Sequence, residues 1–344
     1  MRSPTKKSRP AVGIVGAARM GLALAHQIAL NGSDVILLTT LEDRAKQLRE
    51  DGCVPDVLPE LKKMHPRVQV TTDPQDIADK TTLIFITISD YLLTKVLDLL
   101  GEHLDGAHFI VHATHSLYGE ELLCSSQLIE SYTCVKQIGA LAGPMHMSEL
   151  LEKKPNVALI GSEFAEVIER ARKVLGASYF HLYGSSDIRG VEYAAALHQV
   201  VALAIGMADG LDLGSATHAA FVAAGLSEIT RVGVERGAKV DSFYGLVGVG
   251  RLVDALQRGE PNYSLGLELM RTKDREKTMS EASVEAKGPE VVGQLMAWSK
   301  MHGVELPFTG ALAKILAGEE DAEQQLRGLL LQRELFAQMS SVPL

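Results

Sequence analysis

Residues 12–38 hold the feature that most narrows what this chain can fold into. Residues 12–15 are a short apolar run, Gly16 to Gly21 read GAARMG, and LALAHQIAL follows before Asn31-Gly32. A second apolar run, 34–38, begins at once. The order is strand, tight glycine turn, helix with an Asn-Gly stop, strand. Two strands joined through a helix lie parallel, and a parallel sheet needs helices over both faces. Further buried-strand runs at 68–71, 83–88, 109–113, 138–142 and 157–160 alternate with helical stretches such as 91–100 and 163–175. This alternation predicts an α/β fold with a Rossmann-like doubly wound domain over residues 11–187.

The pattern changes after residue 187. Helical periodicity dominates at 191–209, 216–237, 243–256, 291–302, 310–317 and 321–336, so residues 188–344 are expected to form an all-helical domain. Residues 259–287 are polar and read as a loop that covers a site. A chain of 344 residues with 46% hydrophobic content has material for two cores. The net charge of -9 excludes a general nucleic-acid or membrane-surface binder, because an acidic protein is repelled by phosphates. No apolar run reaches the roughly 18 residues of a membrane span. The first ten residues, MRSPTKKSRP, are basic, carry two prolines and lack the apolar stretch of a secretory signal. They read as a disordered tail on a cytoplasmic protein. Cys53, Cys124 and Cys134 lack metal-type spacing and read as reduced structural thiols.

The first turn is a candidate dinucleotide cradle. The fingerprint G-x-G-x-x-G becomes Gly16-Ala17-Ala18-Arg19-Met20-Gly21, with Ala18 in place of the second glycine. That glycine normally lets backbone N–H groups approach a pyrophosphate at the helix N-terminus, and Ala18 adds one methyl there. The alternative is a closely packed turn that binds nothing. The second strand usually ends in an acid for the ribose diol of NAD. Here it ends in Thr39-Thr40, followed by Leu41-Glu42-Asp43-Arg44. Hydroxyls with Arg44 suit the 2′-phosphate of NADP. The alternative is a helix capped by Thr40 with acids in its first turn. NAD and NADP both stay open.

Longer segments carry a resemblance. They are residues 179–183 through Asp187, Gly190-Val191-Glu192-Tyr193-Ala194-Ala195-Ala196-Leu197, Ala208-Asp209-Gly210-Leu211-Asp212-Leu213-Gly214, Gly225-Leu226-Ser227-Glu228, residues 245–250, Gly288-Pro289-Glu290 and Gly303-Val304-Glu305-Leu306-Pro307. In this order the chain resembles NAD(P)-dependent glycerol-3-phosphate dehydrogenases. The resemblance implies a Rossmann-like domain, a helical substrate domain, a homodimer, and hydride exchange between NAD(P)H and dihydroxyacetone phosphate. It places His198 at the family's A-L-K-N lysine and His115 at its A-T-K-G lysine. Arg251 takes the place of the G-L-G-D aspartate, Pro261 that of an arginine, and Asn262 keeps the neighbouring asparagine. By the same resemblance Ser89 and Glu290 lie near the cofactor, and Thr217 and Gly143 near the substrate.

Three functions fit these departures. In a working oxidoreductase His198 is the general acid–base group, His115 polarises the carbonyl, and Arg251 with Asn262 holds a small anionic substrate. In a non-catalytic relative the pocket binds a nucleotide or metabolite. In a metal-dependent variant His115 and His198 hold a Zn²⁺-like ion with His146, and with His112 and His218 as possible neighbours.

Overall fold

The structure, a computed structural model, describes residues 11–256, 259–272, 274–319 and 321–331. The expected tail at 1–10 and the end of the last expected helix lie outside these residues. The described residues form two compact units, one of residues 11–116 plus Ser125–Ile188, the other of Leu117–Cys124 plus the described residues from Arg189 to Leu331.

The first unit holds β1 (Ala11–Val15), α1 (Arg19–Leu30), β2 (Val35–Leu38), α2 (Glu42–Glu50), β3 (Val68–Thr71), α3 (Pro74–Lys80), β4 (Thr81–Ile86), α4 (Leu93–Gly101) and β5 (Phe109–His112). Two short strands, β6 (Leu117–Tyr118) and β7 (Leu123–Cys124), then pair as a hairpin that belongs to the second unit. The sequence reading has no counterpart for this excursion. The first unit resumes with α5 (Ser125–Tyr132), β8 (Gln137–Ala142), α6 (Met147–Leu151), β9 (Asn156–Gly161), α7 (Ala165–Leu175) and β10 (Phe180–Ser185). Eight strands make one sheet in the order β10-β9-β8-β5-β4-β1-β2-β3. It is parallel except between β8 and β9, where Ala140 faces Gly161 in antiparallel register.

The first turn folds as its residues suggest. Val12, Ile14 and Val15 are buried, and Val12 to Val15 pair in parallel with Val35 to Leu38. Helix α1 buries Leu22, Ala23, Leu24, Ala25 and Ile28 against the sheet and stops at Asn31, with Gly32 at φ 90°. Burying each large apolar side chain there contributes roughly 1.5–3 kcal/mol.

Among the described residues the second unit is helical apart from the hairpin: α8 (Ile188–Gly210), α9 (Ser215–Glu235), α10 (Val240–Tyr244), α11 (Arg251–Ala255), α12 (Pro261–Arg271), α13 (Arg275–Ser280), α14 (Gly288–His302), α15 (Pro307–Ala317) and α16 (Ala322–Leu329). Helix α8 is long and apolar enough to cross a bilayer by length and composition, with its charges, Arg189, Glu192 and Asp209, near its ends. Its most apolar stretch, of mean hydropathy 1.4, is wholly buried, as in the core helix of a bundle.

Two expectations are corrected here. Residues 259–287, expected as a polar loop, contain α12 and α13. Helix α12 starts on Pro261, and the Glu260 carboxylate accepts from the Tyr263 N–H at 2.6 Å. Its Gly266 lies so close to α8 that an added Cβ would sit 2.2 Å from the Leu203 carbonyl oxygen. The glycine that reads as a loop residue is the contact point of two helices. Residues 243–256, expected as one helix, are broken: a π-helical turn, Leu246–Gly250, separates α10 from α11. A Cβ on Gly248 would meet the Phe243 carbonyl oxygen at 1.8 Å, so this turn requires glycine.

Candidate functional site

In the first unit, the C-terminal ends of β1, β2 and β4 open onto a cavity of about 370 Å³. Its lining includes Gly16, Ala17, Ala18, Thr39, Thr40, Arg44 and Ser89. Gly16 stands at φ 109°, and a Cβ there would meet the Thr87 carbonyl oxygen at 2.8 Å. A Cβ on Gly21 would come within 1.9 Å of the Gly16 carbonyl oxygen. These two glycines therefore let the turn fold back onto β4 and let α1 pack against the turn. Thr87 completes the joint, its hydroxyl donating to the carbonyls of Val15 and Gly16 at 3.1 and 3.3 Å. Ala18 is the N-cap of α1, in extended conformation at φ -85°, a conformation that does not need glycine.

Arg44, on α2, donates to the Ala17 carbonyl at 3.0 Å, which holds its guanidinium at the turn. Thr39 is buried, and its hydroxyl accepts from the Leu41 N–H at 3.3 Å. The alternative role of Thr40 as a helix cap is corrected: the N-cap of α2 is Leu41, with no side-chain cap. Arg19, Met20 and Gly21 do not line the cavity. The Arg19 guanidinium lies 2.6 Å from Glu60 and holds that carboxyl below its usual range. Met20 packs against the apolar core. Sequence reasoning missed the far wall, where Tyr91, Lys95 and Leu99 follow β4. The rule that doubly wound sheets bind ligands beyond the carboxyl ends of their strands points to this segment.

His115 follows β5 in the first unit and is half-buried. His112 is wholly buried at the end of β5, and His146 is exposed at the start of α6. Gly143 follows β8 at φ 137°, where a Cβ would lie 3.2 Å from the Ala158 Cα.

In the second unit, His198 projects from α8 and is 2% exposed. Its Nδ1 lies 2.8 Å from the Ala195 carbonyl, and its Nε2 lies 3.3 Å from Arg251 Nη2. Arg251 opens α11 directly after the π-helical turn and is only partly buried. Burial pulls its guanidinium down from the usual range, while Asp254 and Glu260 pull it back up. Burial pushes the Glu260 carboxyl up, although the Tyr263 N–H and the Asn262 side chain oppose this.

Asn262 is buried and engaged with the protein. Its Nδ2 donates to Glu260 at 3.0 Å and to Gln199 at 3.5 Å, and its Oδ1 accepts from the Gly288 N–H at 2.6 Å. It ties α8, α12 and the start of α14 together. The Thr217 hydroxyl donates to the Leu213 carbonyl at 2.9 Å. Glu290 is exposed and pairs with Lys287 at 3.2 Å. His218 lies 2.8 Å from Asp209, whose other oxygen accepts from the Tyr263 hydroxyl at 2.5 Å. Among the described residues, no three His, Cys, Asp or Glu side chains gather as a metal-binding group.

Two family models match the chain. The model of the NAD-dependent glycerol-3-phosphate dehydrogenase N-terminus covers residues 11–167, and that of the C-terminus covers residues 187–327. This chain belongs to the NAD-dependent glycerol-3-phosphate dehydrogenase family. The chain is 30% identical over 330 residues to the glycerol-3-phosphate dehydrogenase (NAD(P)+) of Oleidesulfovibrio alaskensis, an alignment covering 94% of this chain and 98% of that one. It is 30% identical over 329 residues to the enzyme of the same name from Pseudomonas fluorescens, covering 95% and 92%. The crystal structure of glycerol-3-phosphate dehydrogenase from Coxiella burnetii superposes with a TM-score of 0.85 at 24% identity, covering 94% of this chain and 99% of that one. The Plasmodium falciparum glycerol-3-phosphate dehydrogenase structure gives 0.86 at 16% identity, covering 94% and 95%. At those identities the structural likeness bears on the fold alone.

The dinucleotide implied by the glycerol-3-phosphate dehydrogenase name fits the first unit. The cavity lies at the carboxyl ends of the strands, Gly16 and Gly21 let the turn fold back tightly between β4 and α1, and a helix N-terminus follows. Gly16, Ala17, Ala18, Thr39, Arg44 and Ser89 are the residues that would hold it.

Proposed function

We propose that this family member is an oxidoreductase that uses NADP(H) in preference to NAD(H), on a small phosphorylated or acidic alcohol and its ketone. The observation that carries the reading is Arg44, anchored on the Ala17 carbonyl beside the end of β2. Among the described residues no acid lines that corner for a ribose diol, and a planar guanidinium suits a phosphate. When bound, the nicotinamide exchanges a hydride with the substrate carbon. The chain's own groups must bind the anion and move the hydroxyl proton.

The resemblance supports His198 for the proton and Arg251 for the anion, because they stand at the family's lysine and aspartate positions. It also supports His115 as a group that polarises the carbonyl. The test is NADPH oxidation with dihydroxyacetone phosphate and with small 2-keto acids. Turnover with an anionic ketone, and not with its uncharged analogue, is expected. Cofactor binding without turnover on any of them would refute the oxidoreductase reading.

That outcome would favour a second reading, a relative that binds nucleotide and metabolite without chemistry. One observation favours it: the Nε2 of His198, the atom that would exchange the proton, already faces Arg251.

A further inference from the structure

His198 and Arg251 form a pair whose hydrogen positions follow from chemistry. A carbonyl only accepts, so His198 Nδ1 carries the hydrogen that goes to Ala195. A guanidinium only donates, so His198 Nε2 accepts from Arg251. A protonated ring would set two cations 3.3 Å apart at a site that is 2% exposed on the histidine side. Such a pair repels strongly where water is scarce. The resting pair is therefore a neutral imidazole with its only lone pair turned to a guanidinium.

The surroundings make this an uneven arrangement. Asp254 and Glu260 are the carboxylates that act on Arg251. Glu260 is already engaged by the Tyr263 N–H at 2.6 Å and by Asn262 Nδ2 at 3.0 Å. As a residue Arg251 is more exposed than His198, while its guanidinium is buried against the imidazole, so an anion must enter the site to reach the pair.

We propose that Arg251 gates His198: it occupies Nε2 until the phosphate or carboxylate of the substrate draws the guanidinium away, and only then does Nε2 accept the hydroxyl proton. This rests on the oxidoreductase reading and names the regulation of that site. In alcohol oxidation the carbon loses a hydride to the nicotinamide dinucleotide and the oxygen loses its proton to Nε2. The products are the ketone and an imidazolium whose charge the bound anion balances. Reduction runs the same transfers backwards. An uncharged alcohol of the same shape leaves Arg251 on the imidazole and the base engaged. Selectivity for anions then appears in kcat as well as in KM.

The experiment follows the ¹⁵N resonances of histidine-labelled full-length protein, with inorganic phosphate as the probe. Without phosphate, His198 is expected as the Nδ1–H tautomer. Phosphate is expected to shift its Nε2 signal and raise its titration midpoint by about 1–3 units, the usual effect of bringing an anion beside an imidazole. In Arg251→Gln the phosphate response is expected to vanish, and in Arg251→Lys, which keeps the charge, to persist in weakened form. An Nε2–H tautomer, or a full response in Arg251→Gln, would overturn the gate. A missing phosphate response in a protein that turns over refutes the gate alone. An intact response with no turnover on any anionic alcohol refutes the oxidoreductase reading, and the proton transfer with it.

Discussion

Glu228 offers a test of how the second unit is held together. It projects from α9, is 5% exposed, and caps α15 from a distance of 80 residues. Its carboxylate accepts from the Phe308 N–H at 2.9 Å, the Thr309 N–H at 2.8 Å and the Thr309 hydroxyl at 2.5 Å. Glu228→Ala strands two helix N–H groups and a hydroxyl in a buried place. Each stranded donor costs about 1–3 kcal/mol. Part of this is offset, because the alanine variant no longer buries a charge, and a net loss of about 3–4 kcal/mol remains. For a unit of this size that corresponds to a fall in Tm of about 10 °C, read by calorimetry.

The pH dependence carries the sharper sign. Burial raises the Glu228 carboxyl above the ordinary value of 4.5, outweighing the hydrogen bonds that lower it. Between the unfolded and folded values the folded chain holds more protons. The stability contributed by the shift is then complete below about the unfolded value and lost as pH rises through the folded one. Glu228→Gln keeps an acceptor for the helix and removes the titration, so that part of the slope should disappear. A Glu228→Ala loss below about 1 kcal/mol, or a slope unchanged in Glu228→Gln, would refute this reasoning.

Three further outcomes are expected. Gly16→Ala forces an L side chain to φ 109° and a Cβ to 2.8 Å from the Thr87 carbonyl oxygen. It should cost about 1–3 kcal/mol and abolish NADPH binding, measured by denaturation and calorimetry. Arg44→Ala removes a charge-assisted contact of about 1.5–3 kcal/mol, so NADPH should bind roughly 10–100-fold more weakly while NADH changes little. Gly206→Ala places a Cβ 2.0 Å from the Tyr263 carbonyl oxygen where α8 and α12 cross, and about 3 kcal/mol of stability should be lost in chemical denaturation.

The parts of this molecule legible in its sequence are those set by local periodicity. β1, α1 and β2 read directly because Val12, Ile14 and Leu22 to Ile28 carry their periods without interruption, and Asn31-Gly32 stops the helix. β10 is missed because only Phe180 and Leu182 are buried in it, an alternation too short to stand out from a loop. The antiparallel step at β9 leaves no trace in residue type, since strand direction is a property of the whole sheet. α12 is missed for a tertiary reason: Pro261, Asn262, Ser264 and Gly266 look like loop residues until α8 lies against them.

The candidate site divides in the same way. Gly16 and Arg44 are visible because the turn and the end of the second strand are local. Tyr91 and Lys95 join them only through the parallel pairing of β4 beside β1. Resemblance singles out His198 and Arg251 separately. Their contact spans 53 positions, and the tautomer it fixes appears only once α8 and α11 are in place.

The central claim is that the turn at Gly16 with Arg44 forms a working NADP(H) site, and its most direct test is calorimetric titration of the full-length protein with NADPH and NADH at matched salt. Micromolar NADPH binding, at least about 10-fold tighter than NADH, is the predicted result, because Arg44 supplies a charge-assisted bond to the extra phosphate. Equal affinity would contradict the role of Arg44. No binding of either at millimolar concentration would contradict the account at its root, since the methyl of Ala18 would then have closed the turn to a pyrophosphate.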